Sequence, residues 1–113
     1  MSLTPEQQDQ NFLDLILDKH GDTASELVQA SMLVARGYMS AEFSYPAIQS
    51  EVERMLSDKK ADDIVTKYGL IAMQACFEGW ESATEFFLGD TFDSIEEGQQ
   101  SLVEWVENGN WLE

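Results

Sequence analysis

The 113-residue sequence is poor in the side chains that build covalent or metal sites. It contains one cysteine, Cys76, and one histidine, His20. A single cysteine cannot form a disulfide within the chain, and these two residues cannot supply the ligands of a structural zinc site. Cys76 lies among apolar residues at helical spacing, which favours a place in the core over a role as a nucleophile. We therefore expect no metal, no cofactor and no catalytic residue.

Basic residues are also scarce, and they are missing from the last part of the chain. The sequence has 22 acidic and 6 basic residues, for a net charge of −16. Every basic residue lies within residues 1–67, so residues 68–113 carry acids alone. Such an excess of negative charge repels nucleic acids and anionic membranes and attracts basic surfaces. It argues against direct nucleic-acid or membrane binding and predicts a basic protein surface as the partner.

Long apolar runs and targeting signals are not found in the sequence. No apolar stretch approaches the length that crosses a membrane. Residues 1–10 lack the basic segment and the apolar run of a secretion signal. Together with the lone cysteine, these features predict a cytoplasmic protein. Apolar residues make up 43% of the chain and aromatic residues 11%, which is enough for one packed domain over residues 1–113.

Signals for helix starts and stops divide this domain into helices. At four predicted helix starts a Ser or Thr stands three positions before Glu or Gln, the spacing of a capping box: Thr4 and Gln7, Thr23 and Glu26, Ser82 and Glu85, Ser94 and Glu97. Glycines follow the predicted helices as stop signals at Gly21, Gly37, Gly89 and Gly109. Strand-type alternation is scarce. The pattern predicts an all-α, single compact domain of five or six helices.

The middle of the chain is harder to divide. Residues 37–46 predict a loop or a short extended piece, because aromatic residues alternate there with small polar ones before Pro46. A third helix is expected over residues 47–56. Apolar residues at steps of three and four from 64 to 79 predict one helix through Gly69. That glycine costs about 1 kcal/mol relative to alanine, and a break there is the alternative.

Residues 93–107, placed on a helix, separate into an apolar side and an acidic side. Ile95, Leu102 and Val106 share the apolar side. The opposite side carries Asp93, Glu96, Glu97, Gln100, Glu104 and Glu107. A second, shorter stripe is predicted from Glu78, Glu81 and Glu85, with Asp90 between the two. Neighbouring like charges at this spacing cost roughly 0.2–0.5 kcal/mol per pair, so the sequence predicts an acidic C-terminal helical surface that tolerates repulsion.

This surface has two ordinary explanations and one functional one. It is a merely solvated face, or an adaptation to a salty environment. Alternatively, carboxylates roughly 5–6 Å apart on a rigid helix imitate the row of phosphates that DNA-binding proteins neutralise. Trp80 and Trp105 are expected in the core. Trp111 follows the last helix stop and is the better candidate for an apolar contact with a partner.

Residues 77–97 also resemble a known family. Their text, "FEGW" followed by "EFFLGDTFDSIEE", is similar to the acidic run of antirestriction proteins of the ArdA type. The matching residues are Phe77, Trp80, Phe87, Gly89, Phe92, Asp93, Ser94, Glu96 and Glu97. That family mimics bent DNA, blocks type I restriction enzymes and mixes strands with helices. The resemblance covers about a fifth of the chain and implies that Asp93, Glu96 and Glu97 stand in for phosphates.

The sequence thus predicts a non-catalytic acidic binding protein, a DNA-mimic inhibitor of a DNA-binding protein in a restriction, CRISPR or similar system. The alternative is an immunity or antitoxin protein that neutralises a basic toxin. A structural subunit is a third reading, and a homodimer is possible in either the first or the third. The predicted partner-binding residues are Glu78, Glu81, Glu85, Asp90, Asp93, Glu96, Glu97, Glu104, Glu107 and Trp111.

Overall fold

A computed structural model describes residues 3–112, and these residues form an all-helical domain. The helices are α1 (Pro5–His20), α2 (Asp22–Ser40), α3 (Tyr45–Asp58), α4 (Asp63–Glu78), α5 (Trp80–Leu88) and α6 (Ile95–Asn108). A short 3-10 turn, Asn110–Leu112, follows α6. No strand occurs in residues 3–112. The prediction of an all-α domain with five or six helices is confirmed. None of the described helices is both long enough and apolar enough to cross a membrane.

The first and last α-helices begin where the capping signals place them. Thr4 accepts a hydrogen bond from the backbone N–H of Gln7 at 3.2 Å, and the Gln7 side chain accepts one from the Thr4 N–H at 2.9 Å. Ser94 caps α6 by accepting from the N–H of Glu97 at 3.2 Å. Gly109 ends α6 with a φ of 75°, a left-handed conformation that glycine adopts without a steric penalty.

The second helix is longer than expected. Residues 37–40 continue α2, so the predicted 37–46 loop shrinks to 41–44, and α3 begins at Tyr45 rather than at residue 47. Tyr38 and Met39 pack against a core cluster shared with α3. The free energy gained by burying part of Tyr38 and Met39 exceeds the cost of one glycine inside the helix. Ser44 caps α3 by accepting from the N–H of Ala47 at 3.4 Å.

The helix α4 lies at the centre and packs against α2, α3, α5 and α6, while α1 packs against α2 and α6. A larger core cluster joins α1, α2, α4, α5 and α6 and includes Phe12, Tyr68 and Trp80. A smaller one joins α2, α3 and α4 around Ile48 and Leu56. Contact with four other helices explains why α4 is apolar on nearly every side.

Gly69 sits where α4 comes closest to its neighbours. The helix passes through it without a break, as the apolar spacing predicts. A Cβ at this position would lie 2.7 Å from the Ser31 hydroxyl oxygen and 2.8 Å from a methyl carbon of Leu56. The residue that weakens the isolated helix therefore allows α2, α3 and α4 to approach closely.

Candidate protein-binding surface

The predicted stripe of Glu78, Glu81 and Glu85 is divided by the turn between α4 and α5. Gly79 alone joins these helices, with a φ of 86°, so Glu78 ends one helix and the other two glutamates lie on the next. The Glu78 carboxylate accepts a hydrogen bond from the side-chain amide of Gln74. A single stripe of three is therefore wrong, because the spacing of three and four holds only within one helix.

The structure brings four acidic residues from α5, α6 and the loop between them to one place. Glu81 on α5, Asp90 and Asp93 in the loop after it, and Glu96 at the start of α6 border a cavity of about 570 Å³. We call this the acidic cavity, defined by those four carboxylates. Its remaining walls are formed by Leu3, Gln8, Thr84, Thr91, Phe92, Ser94, Ile95 and Gly98. A helical wheel cannot show whether residues of two different helices lie close together. In the structure, the loop of residues 89–94 places Asp90 and Asp93 at the same cavity as Glu81 and Glu96.

Three further carboxylates extend the charge beyond the cavity. Glu85 on α5 and Glu97 and Glu104 on α6 are exposed. Together with the acidic cavity they form what we call the acidic surface. None of the ion pairs formed within residues 3–112 includes any of these seven carboxylates. The surface therefore presents uncompensated negative charge to the solvent.

Glu107 differs from the other glutamates of α6. Its carboxylate accepts a hydrogen bond from the Tyr68 hydroxyl at 2.5 Å and lies 2.7 Å from Nε2 of His20. Burial acts to raise the pKa of Glu107, but the bonds from His20 and Tyr68 outweigh it and lower the pKa. The prediction placed Glu107 on the acidic face; the structure gives it two intramolecular partners that join α6 to α1 and α4.

The three tryptophans occupy different environments. Trp80 is 3% exposed and belongs to the core, as expected. Trp105 and Trp111 are half-buried, and the Trp111 indole donates a hydrogen bond to the Val106 carbonyl at 2.8 Å. That bond satisfies a carbonyl in the last turn of α6. Trp111 thus serves the structure, and its remaining exposed part is what a partner could contact.

Lys67 lies among aromatic rings rather than carboxylates. Its ammonium nitrogen is 5.2 Å from the ring centroids of Phe87, Trp105 and Trp111. We call these three rings the aromatic cage. Burial lowers the pKa of Lys67. The cage draws on α5, α6 and the 3-10 turn, while its occupant comes from α4, so no local sequence pattern predicts it.

Phe86 is the large apolar side chain that sequence reasoning missed. It is 66% exposed and lies beside Glu85 in the acidic surface. Its ring meets that of Phe87 edge to face, with centroids 5.0 Å apart. A pair of adjacent phenylalanines on a short helix cannot both point inward, and this was the available signal. Exposed aromatic rings are among the side chains that serve as apolar anchors in protein interfaces.

The single cysteine and the single histidine both make contacts within the fold. Among residues 3–112, no group of three or more His, Cys, Asp and Glu side chains is arranged to hold a metal ion. Burial raises the pKa of the Cys76 thiol to about 11, so it is protonated at neutral pH. His20 is engaged by Glu107.

Comparisons with models of protein families, with curated proteins and with solved structures found no match to this chain. The resemblance of residues 77–97 to antirestriction proteins of the ArdA type therefore stays a prediction.

Proposed function

We propose that the protein is a non-catalytic inhibitor that occupies the DNA-binding site of a DNA-binding protein by presenting DNA-like negative charge. The observation that carries the proposal is the acidic surface, whose seven carboxylates are exposed and make no ion pair within residues 3–112. Proteins that bind DNA gain much of their affinity by neutralising phosphates. Such a target, in restriction, CRISPR defence or another DNA-processing system, would place this protein in the cytoplasm.

A mimic of DNA needs its carboxylates at fixed positions, and the acidic surface lies on a packed scaffold. Six of the seven carboxylates lie on α5, on α6 or directly before its cap, and Asp90 follows the left-handed Gly89 that ends α5. Each helix is anchored by core residues, among them Ala83 on α5 and Leu102 on α6. Charges held by a packed scaffold lose less conformational entropy on binding than charges on a flexible tail.

The test is displacement of proteins from DNA. Proteins from source cells are retained on immobilised double-stranded DNA, and the purified chain is added at fixed ionic strength. Wild type is expected to release a specific DNA-binding protein, which is then identified. A variant with Glu81→Gln, Asp93→Asn and Glu96→Gln is expected to lose this activity by at least about tenfold, since each phosphate-like contact contributes to affinity.

A second variant removes the same number of charges elsewhere. Asp18, Glu26 and Glu53 are exposed on α1, α2 and α3, and their amide substitutions give the same net charge as the first variant. Full activity of this control shows that position matters and not total charge. Equal loss in both variants, or no release by wild type, contradicts the proposal.

A toxin-neutralising protein is the second candidate, and the exposure of Phe86 favours it. In that class charge accelerates the encounter, while a few apolar anchors supply most of the affinity. A captured basic protein that binds in high salt, is not displaced by DNA and is lost on Phe86→Ala would support this candidate over DNA mimicry. Light scattering on the same samples measures whether either complex contains a homodimer.

A further inference from the structure

The aromatic cage around Lys67 is a feature that the proposed function does not use. One ammonium nitrogen lies at the same distance, 5.2 Å, from the centroids of three rings. Aromatic faces attract cations within about 6 Å, and cages of such rings recognise ammonium groups that bear methyl substituents. No carboxylate oxygen within residues 3–112 lies within 4.0 Å of Lys67 Nζ. In a strongly acidic protein, the rings are thus the partners of this cation.

The size of the cage fits a larger cation than its present occupant. A bare ammonium in contact with a ring face lies about 3.5–4.0 Å from it, the usual separation of touching heavy atoms. An N–C bond adds about 1.5 Å. A methyl group on the nitrogen therefore bridges the gap, because a nitrogen whose methyl touches each ring lies about 5.0–5.5 Å away.

The cage is both ordered and accessible. The Trp111 ring is held by its indole bond to Val106, and the Phe87 and Trp105 centroids are 5.9 Å apart. All three rings and Lys67 remain half-buried, so one side of the cage opens to solvent. Burial of Lys67 also lowers its pKa.

We propose that Phe87, Trp105 and Trp111 form a binding site for an N-methylated ammonium group, which Lys67 occupies in the free protein. The ligand chemistry is a quaternary ammonium with methyl groups, either on a small solute or on a methylated lysine side chain. Lys67 acts as a tethered competitor with a high effective concentration. It has to swing toward solvent before the ligand enters.

The experiment empties the cage. Lys67→Ala is titrated with tetramethylammonium chloride, and with ammonium chloride at the same ionic strength, while the indole N–H signals of Trp105 and Trp111 are followed by NMR. Saturable shifts with tetramethylammonium alone are expected. Compared with Lys67→Ala, wild type should need at least about tenfold more tetramethylammonium, because Lys67 competes for the cage. The double variant Lys67→Ala with Phe87→Leu should bind tetramethylammonium at least about tenfold more weakly than Lys67→Ala, because one ring face is lost. Equal responses of folded Lys67→Ala to both salts overturn the proposal.

A second measurement uses the intact chain. Reductive methylation with ¹³C-labelled formaldehyde places methyl groups on the lysines, and Lys67→Arg assigns the Lys67 signal. A methyl signal shifted upfield of the other lysines by the three rings supports the site, and one that overlaps them overturns it. The ligand's source is found by titrating a peptide with one trimethyl-lysine: binding at least tenfold tighter than tetramethylammonium identifies a protein side chain, and equal binding identifies a solute.

Discussion

The hydroxyl of Tyr68 on α4 donates a 2.5 Å hydrogen bond to the carboxylate of Glu107 on α6, across 39 residues of sequence. Tyr68 is fully buried, and burial together with this bond raises its pKa. The contact ties the acidic helix to the central helix. It also gives one member of the predicted row of surface charges a partner from the core, although Glu107 itself stays exposed.

Glu107→Gln should lower the free energy of unfolding by about 1–2 kcal/mol at pH 7, because a hydrogen bond to a charged group contributes about 1.5–3 kcal/mol and solvent screens the exposed Glu107 carboxylate. The pKa of Glu107 is lowered in the folded state. Its stabilisation is therefore complete above the ordinary glutamate pKa of about 4.3 and disappears as the pH falls through the lowered value. Urea titrations from pH 7 to pH 3 should show wild type and variant converging.

Glu104→Gln is the matched control for that prediction. Glu104 is exposed on the same helix and makes no ion pair within residues 3–112. Its substitution should change stability by less than about 0.5 kcal/mol at any pH. Equal effects of the two variants would mean that the contact of Glu107 with Tyr68 contributes nothing.

Two helical glycines should respond to alanine with opposite signs. At Gly69 the added methyl meets Ser31 and Leu56 below 3.0 Å, and overpacking of about 1–3 kcal/mol outweighs a propensity gain of about 1 kcal/mol. At Gly37 nothing lies within 4 Å of the new Cβ, so alanine should stabilise by about 0.5–1 kcal/mol. Thermal unfolding of both variants measures this. Stabilisation by Gly69→Ala would contradict the close approach of α2, α3 and α4.

Asp9 accepts two hydrogen bonds that join α1 to other helices. The buried Trp80 indole donates to it at 2.8 Å, and the Arg36 guanidinium donates to its other oxygen. Asp9→Ala should lower stability by about 1–3 kcal/mol, because the buried indole N–H loses its acceptor. Asp9→Asn keeps an acceptor for Trp80 and should lose less. If chemical denaturation shows equal losses, the bond to Trp80 is not the main contribution.

Cys76 should react slowly with thiol reagents. Burial raises its pKa to about 11 from an ordinary value of 9.0, which lowers the thiolate fraction near pH 7.5 by about 100-fold. Iodoacetamide alkylation of the native protein should therefore be about 100-fold slower than alkylation of a free cysteine peptide. Mass spectrometry measures both rates, and urea-unfolded protein serves as the control. A native rate close to that of the peptide would contradict a buried thiol.

Signals that act within one helix predicted most of the fold. Thr4 and Ser94 mark helix starts because their side chains bond backbone groups three residues away. Gly79 and Gly37 look alike in sequence, yet one turns the chain and the other lies inside α2. The difference comes from Tyr38 and Met39, whose burial against α3 depends on a contact that no local pattern contains.

The candidate site also has features that the sequence predicts and features that it does not. Exposure of Glu96, Glu97 and Glu104 follows from helical periodicity and was predictable. The partners of Glu107 lie 39 and 87 residues away in the sequence. The three rings of the aromatic cage and Lys67 come from four separate elements. Contacts between residues far apart in the sequence depend on how the helices pack, and local patterns in a single sequence do not predict that packing.

The six basic residues all lie on α1 to α4 or in the turn between α3 and α4, whereas the acidic surface lies on α5, α6 and their loop. The negative charge of the chain is therefore least compensated on α5, α6 and their loop. A positively charged body diffusing toward the molecule is attracted most strongly to this surface before any atoms touch. A larger fraction of collisions then occurs in the orientation that leads to binding. The association rate constant should fall steeply with ionic strength, because salt screens the electrostatic attraction.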